Sequence, residues 1–171
     1  MRWWIYQRER FPLLGHGPLI LVFSACAVSY SALLRGGDPH WPAYAVAFGV
    51  CLLFFLQLRI ADEFKDAGED ARWRPYRPVP RGLVKLRELG WVFVMAAVVQ
   101  FGLSLVYDLR LGWVLAIGWA YLALMSVEFF ARDWLKARPV VYLLTHMGIM
   151  PLVDFFATAC DWMPHGGPPA G

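Results

Sequence analysis

Five apolar runs, at residues 11–34, 42–60, 89–107, 111–130 and 140–162, constrain this chain more than any other feature of it. Each is close to the roughly 20 residues that a helix needs to cross the hydrocarbon core of a bilayer. Within that core each backbone N–H and C=O must be paired inside the protein, so runs of this length become helices. Only 17% of the 171 residues are charged and 59% are hydrophobic, too little charge to cover the surface of a soluble domain. The expectation is an all-α, multi-pass transmembrane helical bundle with about five spans. The first run is too long for a removed signal peptide and no clean small-x-small site ends it. Phe23-Ser24-Ala25-Cys26 has the outline of a lipoprotein cleavage box, but the Phe fits poorly and the mature chain would begin in mid-membrane.

Lys and Arg sort by connection. Arg2, Arg8 and Arg10 precede the first run, and Arg59, Lys65, Arg72, Arg74, Arg77, Arg81, Lys85 and Arg87 lie at 59–88. Arg132, Lys136 and Arg138 follow the fourth run, whereas the other side has only Arg35 and Arg110. Basic residues stay on the cytoplasmic face, which puts the N-terminus inside and the end of the fifth span outside. The expected organisation is a cytoplasmic segment at 1–10, a membrane domain at 11–162 with a cytoplasmic loop at 59–88, and an extracytoplasmic Pro/Gly-rich tail at 163–171 that reads as a loop cut short. The net charge of +3 follows membrane sidedness, so the lipid bilayer is the expected partner and nucleic acid is not. Cys26, Cys51 and Cys160 all sit in apolar runs with no CxxC or CxxH spacing, which favours inert thiols over disulfides or zinc.

The stretch RIADEFKDAGEDARWRPYRPVPRG, residues 59–82, is the one a membrane should reject. Asp62, Asp66 and Asp70 recur every fourth residue, so on a helix continuing past Ile60 all three carboxylates face one sector. Glu63 and Glu69 flank it. Clustered carboxylates repel unless a cation sits among them, and hard oxygens suit Mg²⁺, which takes a few carboxylates plus phosphate oxygens. The chemistry that fits is departure of a diphosphate whose growing charge a metal neutralises. A plainer reading stands beside it: Arg59–Glu63 and Lys65–Glu69 are i,i+4 pairs that would suit a solvated, salt-bridged helix end. Beyond it, Pro75, Pro78 and Pro80 forbid a continuing helix. Arg72, Arg74, Arg77 and Arg81 can then converge on phosphate oxygens, although a loop touching anionic headgroups would hold the same arginines.

An acidic motif at the end of the second span, followed by an Arg-Pro element before the third, resembles the UbiA-type intramembrane prenyltransferases. That family carries N/D-D-x-x-D-x-x-x-D and then R-P-x-x-x-G. Here Asp62, Asp66 and Asp70 stand at the acidic positions and Arg77-Pro78-Val79-Pro80-Arg81-Gly82 at the second element, although no Asn opens the first. The resemblance implies a UbiA-like helical fold and a prenyl diphosphate bound through Mg²⁺. Asp62, Asp66 and Asp70 would be the metal-binding and catalytic residues, and Lys65, Arg72, Arg74, Arg77 and Arg81 would hold the diphosphate. It also implies a membrane-embedded prenyl acceptor and a bacterial cytoplasmic membrane. Family members have about nine spans and a second Asp-rich motif between the sixth and seventh. By that measure the chain corresponds to an N-terminal half, holds half of a catalytic site, and is inactive alone. CDP-alcohol phosphotransferases offer a weaker likeness: Gly68-Glu69-Asp70-Ala71-Arg72 imitates their G-x-x-A-R, but Ala67, Leu86 and Gly90 stand where Asp is required.

Glu128, His146 and Asp154 are the remaining candidates among the polar residues of the apolar runs. Glu128 and His146 are expected to border a cavity at the basic side, with His146 a packing group rather than a soft-metal ligand. Asp154 follows Pro151, which should kink the last span, and reads as structural. The alternative function is a non-catalytic membrane protein, a cation-transport component or assembly partner binding cations on the acidic loop. A transporter should carry acids deep in several spans, and only Asp154 lies that deep.

Overall fold

A computed structural model describes residues 1–167, and 168–171 of the expected tail lie outside the described residues. The order is α1 (Arg2–Arg10), α2 (Leu13–Arg35), α3 (Trp41–Lys65), α4 (Ala67–Trp73), α5 (Leu86–Tyr107), α6 (Leu111–Ser126), a three-residue turn (Glu128–Phe130), α7 (Arg132–Lys136), α8 (Pro139–Met147) and α9 (Ile149–Trp162). Three helices, α2, α3 and α5, are long and apolar enough to cross a membrane, as is α8 with α9 taken as the 24-residue unit Pro139–Trp162. The chain is an integral membrane protein of the all-helical class.

Two spans differ from their expected extents. The fourth run, expected to cross over 111–130, is regular helix for only 16 residues, about 24 Å of rise. It stops where Glu128, Phe129 and Phe130 all take positive φ (50°, 54° and 58°), and the Glu128 carboxylate there lies 3.5 Å from both Lys65 and Arg132. The last span bends as expected, but at Gly148. Pro151 has no N–H for the carbonyl at 147 and its ring crowds that carbonyl, so the helix breaks between Met147 and Ile149. Gly148 also seats Tyr121: a Cβ there would collide with the Tyr121 hydroxyl, which donates to the Thr145 carbonyl at 2.6 Å.

α3 is the central strut. Ala43, Ala47, Val50, Cys51 and Phe54 on it are buried with Val28 of α2, Leu115 and Leu122 of α6, and Val153, Phe156 and Cys160 of α9. The three cysteines are free thiols. Small residues at these contacts let helices approach closely, and polar side chains join them where lipid offers no partner. Gln57 of α3 donates to the Phe93 carbonyl at 3.2 Å and accepts from Trp119 Nε1 at 3.3 Å, while Gln100 of α5 donates to the Val50 carbonyl at 3.0 Å. At the end away from the 59–88 connection, Asp161 accepts from Ser31 at 3.0 Å and pairs with Arg35 at 3.1 Å, clamping α9 to α2. The other end, rich in Lys and Arg, gathers the termini of α3, α5, α6 and α8 and is called the basic end below.

Candidate functional site

The acidic helix does not continue unbroken. α3 runs through Lys65, the backbone changes direction at Asp66 (φ −92°, ψ 0°), and α4 begins at Ala67. Asp62 and Asp66 remain one turn apart, with the Asp66 N–H donating to the Asp62 carbonyl at 2.9 Å. Asp62 is partly exposed, and among the described residues Arg59, at 3.7 Å, is the one cation within salt-bridge distance of it. Among the described residues no cation lies within salt-bridge distance of Asp66.

Asp70 is a different case, since the bend turns it under the Arg-Pro loop. It is buried, accepts from Arg77 at 2.6 Å and from Arg74 at 3.2 Å. Burial alone would raise its pKa, but the two guanidinium hydrogen bonds outweigh that and hold it below the usual carboxylate range. The hydrogen bond to Asp70 in turn raises the pKa of Arg77. Three like charges in phase would repel; the break instead gives the third a pair of cations. The loop beyond turns tightly, and Gly82 closes it at φ +77°, where its N–H donates to the Val79 carbonyl at 3.0 Å. Positive φ costs glycine little, a physical reason for the last residue of the Arg-Pro element.

α1 secures this assembly from the side. Arg10 pairs with the buried Glu63, Arg2 with Glu88 at 2.8 Å, and Glu9 with Arg81 at 2.9 Å. Tyr6 beneath them is buried with Ile60, Val84 and Leu89. Its phenol is raised well above its ordinary range, by desolvation first and then by the Glu63 charge.

Lys65 is where the elements converge. Its ammonium donates to the Tyr142 hydroxyl at 2.6 Å and lies 3.5 Å from Glu128 and 3.4 Å from His146 Nε2. His146 Nδ1 is 2.9 Å from the Tyr142 carbonyl, which can only accept, so Nδ1 carries the proton and the Nε2 lone pair faces Lys65. The His146 and Tyr142 rings stack at 3.9 Å. A polar cleft of about 480 Å³ opens beside Lys65, lined also by Gly68, Glu69, Arg132, Asp133 and Lys136.

The structure therefore redistributes the expected anion-binding residues. Lys65 is central, but Arg74 and Arg77 are engaged with Asp70, Arg81 is engaged with Glu9, and Arg72 lies 4.8 Å over the Trp73 ring. Arg132, 3.5 Å from Glu128, and Lys136, which donates to Glu69 at 3.4 Å, stand at the cleft as well, residues read from the sequence only as topological markers. Tyr142 was missed altogether. Its only signal was its place one turn before His146, which has meaning once α8 is known to meet α3.

Mg²⁺ can be tested against these donors. Among the described residues no group of three or more His, Cys, Asp or Glu side chains is arranged to hold a metal, so the three-aspartate set is not assembled. Asp62 and Asp66 do fit: adjacent hard carboxylates, one without a cation partner, match an ion that takes one or two carboxylates and completes its shell with water and phosphate oxygens.

The family model described as the UbiA prenyltransferase family matches residues 21–170. No curated protein and no solved structure matches the chain.

Proposed function

The chain belongs to the UbiA prenyltransferase family, and on that premise we propose that it serves Mg²⁺-dependent transfer of a prenyl group from a prenyl diphosphate to an acceptor in the bilayer. The observation that carries this reading is a carboxylate pair, Asp62 and Asp66, that flanks Lys65 in the chain and has among the described residues only Arg59 within salt-bridge distance, while Lys65 itself lines a cleft with Arg132 and Lys136. Asp62 and Asp66 hold the metal, and when bound it neutralises negative charge developing on the departing diphosphate. Lys65, fixed by Tyr142, offers its remaining N–H to diphosphate oxygens, and Arg132 and Lys136 close over them. Asp70 works at one remove by fixing Arg74 and Arg77, so that the Arg-Pro loop stays folded beside the cleft. The Lys/Arg distribution supports a cytoplasmic basic end and a cytoplasmic N-terminus.

We further propose that this chain supplies the first half of the site. One carboxylate pair cannot both steady the leaving diphosphate and aim the allylic fragment at its acceptor, so a second set of acidic groups completes it. The test is a membrane assay with labelled farnesyl diphosphate and a panel of aromatic acceptors. Residues 1–171 alone should give no transfer, whereas a longer gene product containing them should. Turnover by the 171-residue chain, abolished by Asp62→Asn, would contradict the half-site proposal.

A further inference from the structure

Beside α1 lies an apolar groove of about 310 Å³, walled by Trp3 and Tyr6 of α1, Leu53 and Leu56 of α3, and Leu89 and Val92 of α5. It shares no residue with the polar cleft beside Lys65. Trp3 and Leu13 on its lining are exposed, so the groove opens outward from the bundle, where the spanning helices α3 and α5 meet lipid. Gln7 lines it as well, and the Tyr6 hydroxyl and Gln7 Oε1 are buried without a hydrogen-bond partner among the described residues. Buried polar atoms ordinarily collect partners, and those that do not call for an explanation.

The charges of α1 are divided unevenly. Arg2, Glu9 and Arg10 pair with Glu88, Arg81 and Glu63. Arg8, next in the chain to Gln7, is exposed, and among the described residues no carboxylate lies within salt-bridge distance of it. Trp4, one turn before Arg8, is 61% exposed. A short helix that presents indoles and an unpaired guanidinium at the end of the spans has the character of an interfacial helix, with apolar side chains in the acyl region and arginine among the headgroups.

We propose that this groove holds one anionic phospholipid of the surrounding bilayer, of the phosphatidylglycerol kind, with an acyl chain in the slot between α1, α3 and α5 and its phosphate at Arg8. The apolar walls suit a hydrocarbon chain, whose burial there removes its surface and theirs from the headgroup water. The Tyr6 phenol stays protonated, since burial first and then the Glu63 charge raise its pKa, and it supplies a donor for the ester carbonyl at the head of the chain. The charge balance selects the headgroup. Glu9, Glu63 and Glu88 are all engaged in ion pairs, so an ammonium headgroup finds no free counter-charge and meets Arg8 as a like charge. A glycerol headgroup brings the phosphate alone. The bound lipid fastens α1 to α3 and α5, and with it the ion pairs that α1 makes to Glu63, Glu88 and Arg81. It is a structural ligand, and the inference stands independently of the prenyl-transfer reading.

The test is native mass spectrometry of the delipidated full chain in neutral detergent, titrated with dioleoylphosphatidylglycerol or dioleoylphosphatidylcholine. One phosphatidylglycerol should be retained saturably, and the choline lipid should bind about tenfold more weakly because its ammonium meets Arg8. Arg8→Gln should lower phosphatidylglycerol affinity about tenfold, the effect of losing one contact to a charged group, and so abolish the preference. Leu53 lines the groove but belongs to neither packed cluster of the core, so Leu53→Trp fills the slot without opening the bundle. That variant should weaken both lipids by a similar factor and leave the preference between them intact. Variants are compared at equal helix content by circular dichroism. Equal retention of the two lipids, or phosphatidylglycerol affinity unchanged in either folded variant, would overturn the proposal. So would displacement of the lipid by farnesyl diphosphate, without Mg²⁺, as readily as by phosphatidylglycerol itself, which would make the groove a prenyl slot.

Discussion

Asp70 is buried and doubly hydrogen-bonded by Arg77 and Arg74, so its charge is structural capital of the loop that follows. Its folded pKa lies below the ordinary carboxylate value, near 3.9 for an unfolded chain. The pairing therefore contributes its full stability above that value and loses it as pH falls through the depressed one. Amide exchange should show residues 70–84 well protected at pH 6 and progressively released toward pH 3. Asp70→Asn should loosen the same segment by about 2 kcal/mol at neutral pH and remove most of the acid dependence. Protection that is equally acid-sensitive in Asp70→Asn would place the titrating group elsewhere. Asp62→Asn, by contrast, should leave exchange in this loop unchanged, because among the described residues the one ion pair of Asp62 is with Arg59, outside the loop. The spacing of 62, 66 and 70 was legible as an acidic motif, but a four-residue period puts carboxylates on one face only while the helix is unbroken. Nothing in the local sequence announces that the chain turns at Asp66, since the partners that reward the turn, Arg74 and Arg77, act through a loop that must fold first.

The spans themselves were legible because bilayer thickness and backbone pairing leave an apolar run of twenty residues few alternatives. Their ends were less so. α6 ends where Glu128 meets Lys65 and Arg132 at the basic end, a tertiary arrangement. Phe130 is 84% exposed and left-handed, so Phe130→Gly removes steric strain without removing packing and should leave thermal stability unchanged or raise it by up to about 1 kcal/mol. A clear loss would mean that Phe130 makes a stabilising contact in the bilayer. At the α8–α9 bend, Gly148→Ala places a methyl against the Tyr121 hydroxyl and should cost about 1–3 kcal/mol. Tyr121→Phe removes that hydroxyl and should recover part of the loss in the double variant. Thermal unfolding in detergent reads both; additive losses would show that the two residues are not in steric conflict.

Across the molecule, charge does two jobs at opposite ends. The Arg35–Asp161 clamp fastens the bundle at one end, and at the other the ion pairs of Glu63, Asp70 and Glu88 fasten α1 and the loop, leaving Asp62 and Asp66 with little neutralisation. That contrast could not be read from the sequence, where all five acids of 59–82 look alike and the cations that face the cleft, Arg132 and Lys136, lie some seventy residues away. The acidic motif and the Arg-Pro element were enough to place the family; which carboxylates are taken up by ion pairs needed the fold. Under the proposed function, Asp62 and Asp66 would bind a prenyl diphosphate through Mg²⁺. Equilibrium binding of labelled farnesyl diphosphate to the full chain in nanodiscs tests it most directly. The expected result is Mg²⁺-dependent binding that EDTA abolishes and that Asp62→Asn or Asp66→Asn each weakens by at least about tenfold, the effect of losing one charge-assisted contact. Binding of equal strength in EDTA, unaltered by either substitution, would contradict it.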